Sequence, residues 1–136
     1  MPAYTVGKVV DALNDRETPL AMANILVIGA TFKKDIDDAR NSPAIEVMRQ
    51  LAAKGANVSY HDPYVPTVTV EDGEGQLELK SVPLTDHALE LADCVVVAVA
   101  HSSLNLAQIV KQARVVVDAT GATRKLKETD GNVVRL

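Results

Sequence analysis

Several kinds of residue are scarce or missing in this chain, and each scarcity excludes a class of protein. The 136 residues include no tryptophan, one phenylalanine and three tyrosines, so aromatic residues make up only 3%. The hydrophobic fraction of 47% must therefore consist mainly of aliphatic side chains, which is typical of buried parallel sheets. A single cysteine cannot form an internal disulfide, and we therefore expect a reducing, cytoplasmic compartment.

Long hydrophobic runs and an excess of positive charge are also lacking. The longest uninterrupted apolar run extends from Cys94 to Ala100, far short of the roughly 20 residues that a membrane-spanning helix needs. The net charge is −4, whereas a nucleic-acid-binding domain normally carries a basic stripe that neutralises phosphates. We therefore expect neither a membrane nor a nucleic acid as a partner, and the length fits one domain with a substantial core.

Residues 24–46 form the most informative stretch, because they pass from a buried strand through a charged loop into a helix. The apolar run that follows Asn24 ends at Gly29, where the backbone can turn sharply. Ser42 and Pro43 are typical of a helix start, since the serine oxygen accepts from a free N–H and proline loses no hydrogen bond at that position. The stretch predicts one strand-loop-helix unit.

The loop between this strand and this helix is the first candidate site. Lys33, Lys34 and Arg40 alternate there with three acidic residues, Asp35, Asp37 and Asp38. In an open parallel sheet, ligands bind at loops that follow the carboxyl ends of strands, and helix amino ends favour anions. The spacing of the charges is equally consistent with a solvated surface loop, so the residues alone leave both interpretations open.

The remaining periodicities predict a doubly wound, Rossmann-like α/β fold. The expected elements are an amphipathic helix over 6–13, a helix from Pro43 to Gly55, a strand over 58–60, a loop over 61–76, a weak strand over 77–79, a helix from Thr85 to Ala92, a strand over 94–99, a helix capped by Ser103 or Asn105, a strand over 114–118, a polar loop over 119–131 and a last strand over 133–136. Together they predict a mostly parallel sheet of five or six strands with helices on both faces.

A primary dinucleotide site is not expected in this chain. The fingerprint needs three spaced glycines after the first strand, so that the backbone can approach a pyrophosphate. Only Gly29 is present, and Phe32, Lys33 and Lys34 occupy the positions of close approach. Asp62, just beyond the second strand, could mimic the ribose-binding acid of such sites, but the following proline favours an ordinary Asp-Pro turn.

Neither the cysteine nor the histidines indicate a catalytic or metal centre. Cys94 begins a core strand, whereas a reactive thiolate needs an electropositive and accessible setting, so we expect an inert packing residue. His61, His87 and His101 are scattered without the spacing of metal ligands. His101 lies at a strand end close to the candidate loop, where we expect a structural role.

Three segments of the chain, in order, resemble one known family. They are Ile28-Gly29-Ala30-Thr31-Phe32-Lys33-Lys34-Asp35, then Asp38-Ala39-Arg40-Asn41-Ser42-Pro43-Ala44, then Gly55-Ala56-Asn57-Val58-Ser59-Tyr60-His61-Asp62-Pro63-Tyr64. The match resembles the carboxyl-terminal domain of the UDP-glucose/GDP-mannose dehydrogenase family. The run from Tyr60 to Pro66 is most similar to members that act on UDP-N-acetylhexosamines.

This resemblance implies a function that the chain performs as part of a longer protein. Members of the family oxidise the C6 hydroxymethyl of a nucleotide sugar to a carboxylate, with two hydride transfers to NAD and a cysteine-bound intermediate. The amino-terminal domain holds NAD and the nucleophile, and the carboxyl-terminal domain binds the nucleotide end of the UDP-sugar. Carried onto this sequence, Phe32 and Lys33 contact the substrate and Arg40 lies near the cofactor, with no catalytic residue and no metal ligand in this chain.

The resemblance also implies a division of the chain. Residues 1–22 are expected to be a linking helix and connector from a preceding NAD-binding domain, and residues 23–136 the nucleotide-sugar-binding domain of a homo-oligomeric parent. The isolated chain should then be inactive. A different class remains open, in which the chain is a stand-alone nucleotide-sugar-binding or interaction module without catalysis.

The sequence departs from the family pattern at one point. The family carries an arginine two or three positions beyond the aspartate that ends a late strand, whereas here Asp118 is followed by Ala119-Thr120-Gly121 and the next arginine is Arg124. Either Arg124 substitutes for the missing arginine, or the nucleotide-sugar site is altered.

Overall fold

The structure is a computed structural model that describes residues 2–71, 74–126 and 132–136. In chain order its elements are α1 (Pro2–Asp15), β1 (Asn24–Ile28), α2 (Pro43–Ala53), β2 (Asn57–His61), β3 (Thr67–Glu71), β4 (Gln76–Lys80), α3 (Asp86–Leu91), β5 (Cys94–Val97), α4 (Leu106–Gln112), β6 (Val116–Asp118), a 3-10 turn (Ala122–Lys125) and β7 (Val133–Arg135). In the described residues, no helix is both long enough and apolar enough to cross a membrane.

Five strands form one parallel sheet in the order β2-β1-β5-β6-β7. Ile25 lies opposite Val58 on one side and opposite Cys94 on the other, so β1 has neighbours on both sides. Each main-sheet pairing is parallel. The prediction of a doubly wound parallel sheet is therefore confirmed, with five strands.

Helices cover both faces of this sheet, because successive side chains of a strand point to opposite sides. One face packs against α1 and α2 and includes Val9, Leu13, Met48 and Leu51 with Val27, Val96 and Val117 of the strands. The opposite face packs against α3 and α4 and includes Leu89 and Ile109 with Leu26, Val95 and Val116. Both faces are built mainly from aliphatic side chains, as the scarcity of aromatic residues predicts, and Tyr60 is the one aromatic side chain in these two clusters among the described residues.

The helix boundaries follow the capping residues of the sequence. Ser42 accepts a hydrogen bond from the backbone N–H of Ala44 at the start of α2, and Pro43 is the first helical residue. Thr85 caps α3 through the N–H of Ala88, and Asn105, rather than Ser103, caps α4 through the N–H of Gln108. Each cap gives an acceptor to an N–H that lacks a partner within the helix.

The segment expected to be a loop over 61–76 is partly a strand, and this prediction is wrong. Thr67–Glu71 pairs with Gln76–Lys80 as an antiparallel hairpin, separate from the main sheet. The predicted strand over 77–79 therefore exists but belongs to this hairpin. Val68 and Val70 alternate with exposed residues and are buried in the core that α2 covers, so burial of one face outweighs the flanking prolines and glycines.

Candidate functional site

The carboxyl ends of β1 and β5 meet at the point where the order of the sheet reverses. From β1 the chain proceeds to β2 on one side of the sheet, and β5 lies on the other side of β1. Such a switch point is where open α/β sheets bind ligands. Gly29 and Val99 follow these two strands and lie at this switch point.

Gly29 and Val99 are in direct contact and close the gap between the two strand ends. Gly29 has a φ of +93°, and a Cβ built on it would lie 2.5 Å from the Val99 Cβ and 2.7 Å from both the Val99 N and O. The Ala98 and Val99 amides donate to the Ile28 carbonyl at 2.9 and 3.2 Å. Gly29 therefore leaves no room for a side chain between the two strand ends, and the side chains that could contact a ligand at this edge lie on the loops that follow.

The loop after β1 is closed by hydrogen bonds at its two ends. The Phe32 N–H donates to the Asp38 carbonyl at 2.9 Å, which closes the segment that carries the two lysines. The Ser42 hydroxyl donates to the Thr31 carbonyl at 3.1 Å and so ties the loop to the start of α2. Asp35 and Asn41 adopt left-handed backbone conformations, with φ of 62° and 56°. The charged segment is therefore a defined turn.

The three residues predicted to bind substrate or cofactor all lie on this loop and face outward. The Phe32 side chain is 52% exposed, and Lys33 is exposed without an ion-pair partner among the described residues. Phe32 and Arg40 line the same shallow pocket of about 280 Å³ together with Asp38 and Asn41. The loop can therefore present an aromatic face and cations to a ligand.

Arg40 already has an acidic partner. Its Nε and one terminal nitrogen donate to the two Asp38 carboxylate oxygens, each at 3.0 Å. These hydrogen bonds lower the pKa of Asp38 to about 2. The Arg40 side chain is 87% exposed, so the pair can open to accept a phosphate or carboxylate at small cost.

The amino end of α2 is less available to an anion than the sequence indicates. Ser42 occupies the cap, and the carboxylate of Glu46 lies in the first turn. Hydrogen bonds from Arg49, and one from Gln50, lower the pKa of Glu46 to about 2, so this carboxylate is ionised. Arg49 compensates the charge of this carboxylate, and the Ala44 amide already donates to Ser42, so the loop cations are the stronger candidates for anion binding.

Asp62 is the buried anchor beneath the loop. One of its carboxylate oxygens accepts from the Tyr64 N–H at 2.7 Å, which confirms the predicted turn at Asp62-Pro63. The other oxygen accepts from the Ala30 N–H and from His101 Nε2, both at 2.8 Å. Sequence reasoning missed these long-range contacts. Because the Asp62 side chain is fully buried, it is not placed to bind a ribose.

His101 lies against both ends of the short segment that contains the lysines. Its Nδ1 accepts from the Asp35 N–H at 2.7 Å, and its Nε2 lies 3.3 Å from the Thr31 hydroxyl. The ring of Tyr64 packs edge-on against the imidazole, with 4.9 Å between the centroids. The expected structural role of His101 is thus confirmed, and its contacts are made with the candidate loop itself.

The carboxylate of Asp35 extends these contacts to the loop after β5. It accepts from the Ser102 N–H at 2.7 Å and from the Ser102 hydroxyl at 2.5 Å. These hydrogen bonds from Ser102 hold the pKa of Asp35 below its ordinary value. The loops after β1, β2 and β5 are therefore joined by hydrogen bonds through Asp35, Asp62 and His101.

The loop after β6 is organised by its own strand-ending aspartate. The buried Asp118 carboxylate accepts from the backbone N–H groups of Thr120, Gly121 and Thr123 and from both threonine hydroxyls. Burial acts to raise the pKa of Asp118, but the hydrogen bonds from Thr123 and Thr120 outweigh it, so the pKa is lowered.

The arginine that follows this loop is exposed. The Arg124 guanidinium lies over Gly121, where a Cβ would meet it at 3.7 Å. Arg135 of β7 instead donates to the Thr123 hydroxyl and carbonyl, at 3.1 and 3.2 Å. Arg124 thus lies at the same edge of the sheet as the β1 loop.

Cys94 is buried, and its environment makes the thiol unreactive. Its exposed fraction is 0%, and burial raises the pKa of the thiol to about 12. A thiolate is the reactive form, so the prediction of a packing residue is confirmed. Of the other histidines, His61 donates from Nδ1 to the Val82 carbonyl at 2.7 Å, and His87 is exposed on α3.

The fold and the outward-facing loop place the protein in a structural class, the α/β domains whose candidate ligand site lies at the switch point of the sheet. The family to which it belongs is shown by a comparison of its sequence with family models. Residues 26–125 match the model of the UDP-glucose/GDP-mannose dehydrogenase family, UDP binding domain, and the chain belongs to this family.

Individual relatives agree with this assignment. The chain is 32% identical over 102 residues to a UDP-N-acetyl-D-glucosamine 6-dehydrogenase from Pseudomonas aeruginosa, a match that covers 75% of this chain and 23% of the relative. It is 32% identical over 92 residues to a UDP-glucose 6-dehydrogenase from Rickettsia bellii, covering 68% of this chain and 20% of the relative. The chain therefore spans less than a quarter of the length of these relatives.

A solved structure shares the fold over almost the whole chain. The UDP-D-ManNAc dehydrogenase from Pyrococcus horikoshii superposes with a TM-score of 0.74 at 26% identity and covers 99% of this chain and 30% of that protein. α1 is thus included in the shared architecture.

Proposed function

We propose that this chain is the carboxyl-terminal, UDP-sugar-binding domain of a UDP-sugar 6-dehydrogenase. The parent enzyme would oxidise the C6 hydroxymethyl of a UDP-sugar to a carboxylate with two NAD. The family match over residues 26–125 supports the proposal. The single observation that locates the proposed UDP-sugar site is the exposed loop after β1, which presents Phe32, Lys33 and Arg40 at the carboxyl edge of the sheet.

Lys33 is assigned to the diphosphate of the substrate. Its exposed ammonium lies on a closed turn and forms no ion pair with a carboxylate of the described residues, and a charge-assisted hydrogen bond to phosphate is stronger than a neutral one. Phe32 offers an exposed ring against which a nucleotide sugar can pack.

Arg40 is assigned to the cofactor side of the site. Its planar guanidinium suits a phosphate or carboxylate, and its partner Asp38 holds it at the rim of the pocket until a ligand anion replaces that contact.

NAD is assigned to the part of the parent that precedes this chain. Of the three spaced glycines that a dinucleotide fingerprint needs after the first strand, this chain has only Gly29, which supports binding of NAD elsewhere. Residues 1–22 are assigned as the linking helix and connector, and residues 23–136 as the substrate domain. The proposal includes a cytoplasmic, homo-oligomeric parent and an inactive isolated chain.

The test compares two neighbouring lysines in the full-length protein. We expect Lys33→Ala to weaken UDP-sugar binding by roughly tenfold to a hundredfold, because a lost charge-assisted bond is worth about 1.5 to 3 kcal/mol. Lys34→Ala is the matched control and should change affinity little, because an exposed charge contributes at most about 1 kcal/mol. Calorimetric dissociation constants for UDP-N-acetylglucosamine, UDP-N-acetylmannosamine and UDP-glucose at one salt concentration provide the measurement.

Equal and small effects of the two substitutions would contradict the assignment of Lys33. NADH formation by the isolated chain would contradict the division of labour between domains. A full-length protein that binds UDP-sugar and forms no NADH would instead support a binding module without catalysis.

A further inference from the structure

We propose that His101 is a positioning residue that holds the Lys33 turn in its ligand-binding conformation through a single, fixed tautomer of the imidazole. This inference rests on the proposed function of Lys33. It extends that function to a side chain that contacts no ligand.

The ring touches the chain on both sides of the lysines. The Thr31 hydroxyl lies 3.3 Å from Nε2, and the Asp35 N–H donates to Nδ1 at 2.7 Å. Lys33 lies between these two residues, and its carbonyl accepts from the same Thr31 hydroxyl at 2.5 Å. A shift of the imidazole would therefore move both ends of the segment that carries the lysine.

The hydrogen bonds allow one protonation state of the ring. Because the Asp35 N–H points at Nδ1, this nitrogen must supply a lone pair. The proton then lies on Nε2, where the Asp62 carboxylate accepts it at 2.8 Å. An Nδ1–H tautomer or an imidazolium would place two N–H groups against each other at the Asp35 contact and leave the turn without its anchor.

Burial makes this arrangement rigid. The side chains of His101 and Asp62 are both 0% exposed, and the ring of Tyr64 packs against the imidazole. Asp62 is itself fixed by the amides of Ala30 and Tyr64. Buried polar groups that are fully paired specify one geometry, since every alternative leaves a polar group unpaired.

The first experiment measures the tautomer directly. The chain contains three histidines, so labelling their ring nitrogens with 15N gives three sets of cross-peaks in long-range 15N–1H NMR spectra. The set that disappears in His101→Asn belongs to His101. We expect His101 to show a protonated Nε2 and an unprotonated Nδ1 at neutral pH. A protonated Nδ1 would overturn the proposal, whether or not the protein binds a UDP-sugar.

The second experiment separates the two hydrogen bonds of the ring. In the full-length protein, His101→Asn keeps an acceptor near the position of Nδ1, whereas His101→Gln extends a donor toward the position of Nε2 and loses that acceptor. We expect His101→Gln to weaken binding of UDP-N-acetylglucosamine about fivefold to tenfold, the effect of one neutral hydrogen bond. His101→Asn should retain affinity within about twofold, although both variants lower the melting temperature.

The exposed His87 supplies the matched control, because His87→Asn should change neither affinity nor melting temperature. If the two His101 variants lose affinity equally, or if neither loses it, His101 only stabilises the fold and the positioning role is wrong. A wild-type protein that binds no UDP-sugar would refute the proposed function instead, while the NMR result would still decide the tautomer.

Discussion

The loop after β1 and the loop after β6 leave the same edge of the sheet, and both are fixed by a buried aspartate. In the loop after β6, Asp118 bonds to residues two to five positions further along. In the loop after β1, the anchor is Asp62, which lies 32 residues from Ala30 and 39 residues from His101. The loop after β6 is thus fixed mainly by its own residues, with an added contact from Arg135 of β7. The loop after β1 has local closing bonds as well, but its buried anchor comes from distant segments of the chain.

This difference determines which side chains of each loop remain exposed. The self-contained loop keeps its polar groups directed at Asp118, whereas the loop after β1 is held from below and leaves Phe32 and Lys33 exposed. A loop whose shape is maintained by other segments has its own side chains available for a ligand.

The largest expected loss of stability comes from replacing Gly29 of the β1 loop, and the comparison is with Gly121 of the β6 loop. Gly29→Ala should destabilise the chain by about 3 kcal/mol or more, because a left-handed backbone costs about 1 to 2 kcal/mol and overpacking against Val99 about 1 to 3 kcal/mol. Gly121→Ala should cost only about 1 kcal/mol, since its Cβ would meet the Arg124 side chain at an ordinary 3.7 Å. Urea unfolding measures both, and equal losses would remove the distinction between the two loops.

The second prediction concerns the two aspartates. Asp62→Ala and Asp118→Ala should each destabilise the chain by about 2 kcal/mol or more, because a buried amide left without an acceptor costs about 1 to 3 kcal/mol. The two variants should differ in which residues of the chain are perturbed. Amide chemical shifts should change over 30–35 and 101–102 for Asp62→Ala, but over 118–124 and at Arg135 for Asp118→Ala. Changes confined to 61–65 in the Asp62 variant would contradict the long-range anchoring of the β1 loop.

The third prediction follows from the lowered pKa of Asp118. A carboxyl whose pKa is lower in the folded state contributes stability above its unfolded pKa of about 3.9, and that stability is lost as the pH falls through the folded pKa. The free energy of unfolding of the wild type should therefore approach that of Asp118→Asn as the pH falls from about 5 to 2. A constant difference between the two across this range would show that the ionisation of Asp118 contributes nothing.

The smallest expected effect is that of Arg40→Ala, which should change stability by less than about 1 kcal/mol because the ion pair with Asp38 is exposed. The pKa of Asp38, now about 2, should rise toward its ordinary value of about 3.9. NMR titration of the carboxyl measures this shift. A large loss of stability would mean that the pair supports the turn, and that Arg40 is not available to a cofactor.

Sequence reasoning succeeded where the determining contacts are local. The strand at β1, the turn at Gly29 and the start of α2 at Ser42 and Pro43 depend on neighbours within a few residues, and the structure has each of them. β3 was missed although Val68 and Val70 alternate with Thr67 and Thr69, because nearby prolines and glycines were given more weight than this period-two pattern.

The hydrogen bonds that hold the candidate site from below could not be predicted from local sequence patterns. Nothing in the residues around Asp62 indicates that its second oxygen accepts from Ala30 and His101, since these contacts exist only once β1, β2 and β5 are assembled. The Asp118 loop is the contrary case. Its contacts are local, and the pattern Asp118, Thr120, Gly121, Thr123 carries the features of an Asx-type turn, so the sequence alone contains the signal for this loop.

The contact of Gly29 with Val99 has a consequence for how such a domain can evolve. Where backbone amides cradle a pyrophosphate, recognition is common to every nucleotide and resists change by point mutation. Here Gly29 packs directly against Val99, and under the proposed function recognition falls to the side chains of a surface turn. A single codon change at Phe32, Lys33 or Arg40 would then alter ligand preference and leave the aliphatic core untouched, so divergence in specificity would not require a new fold.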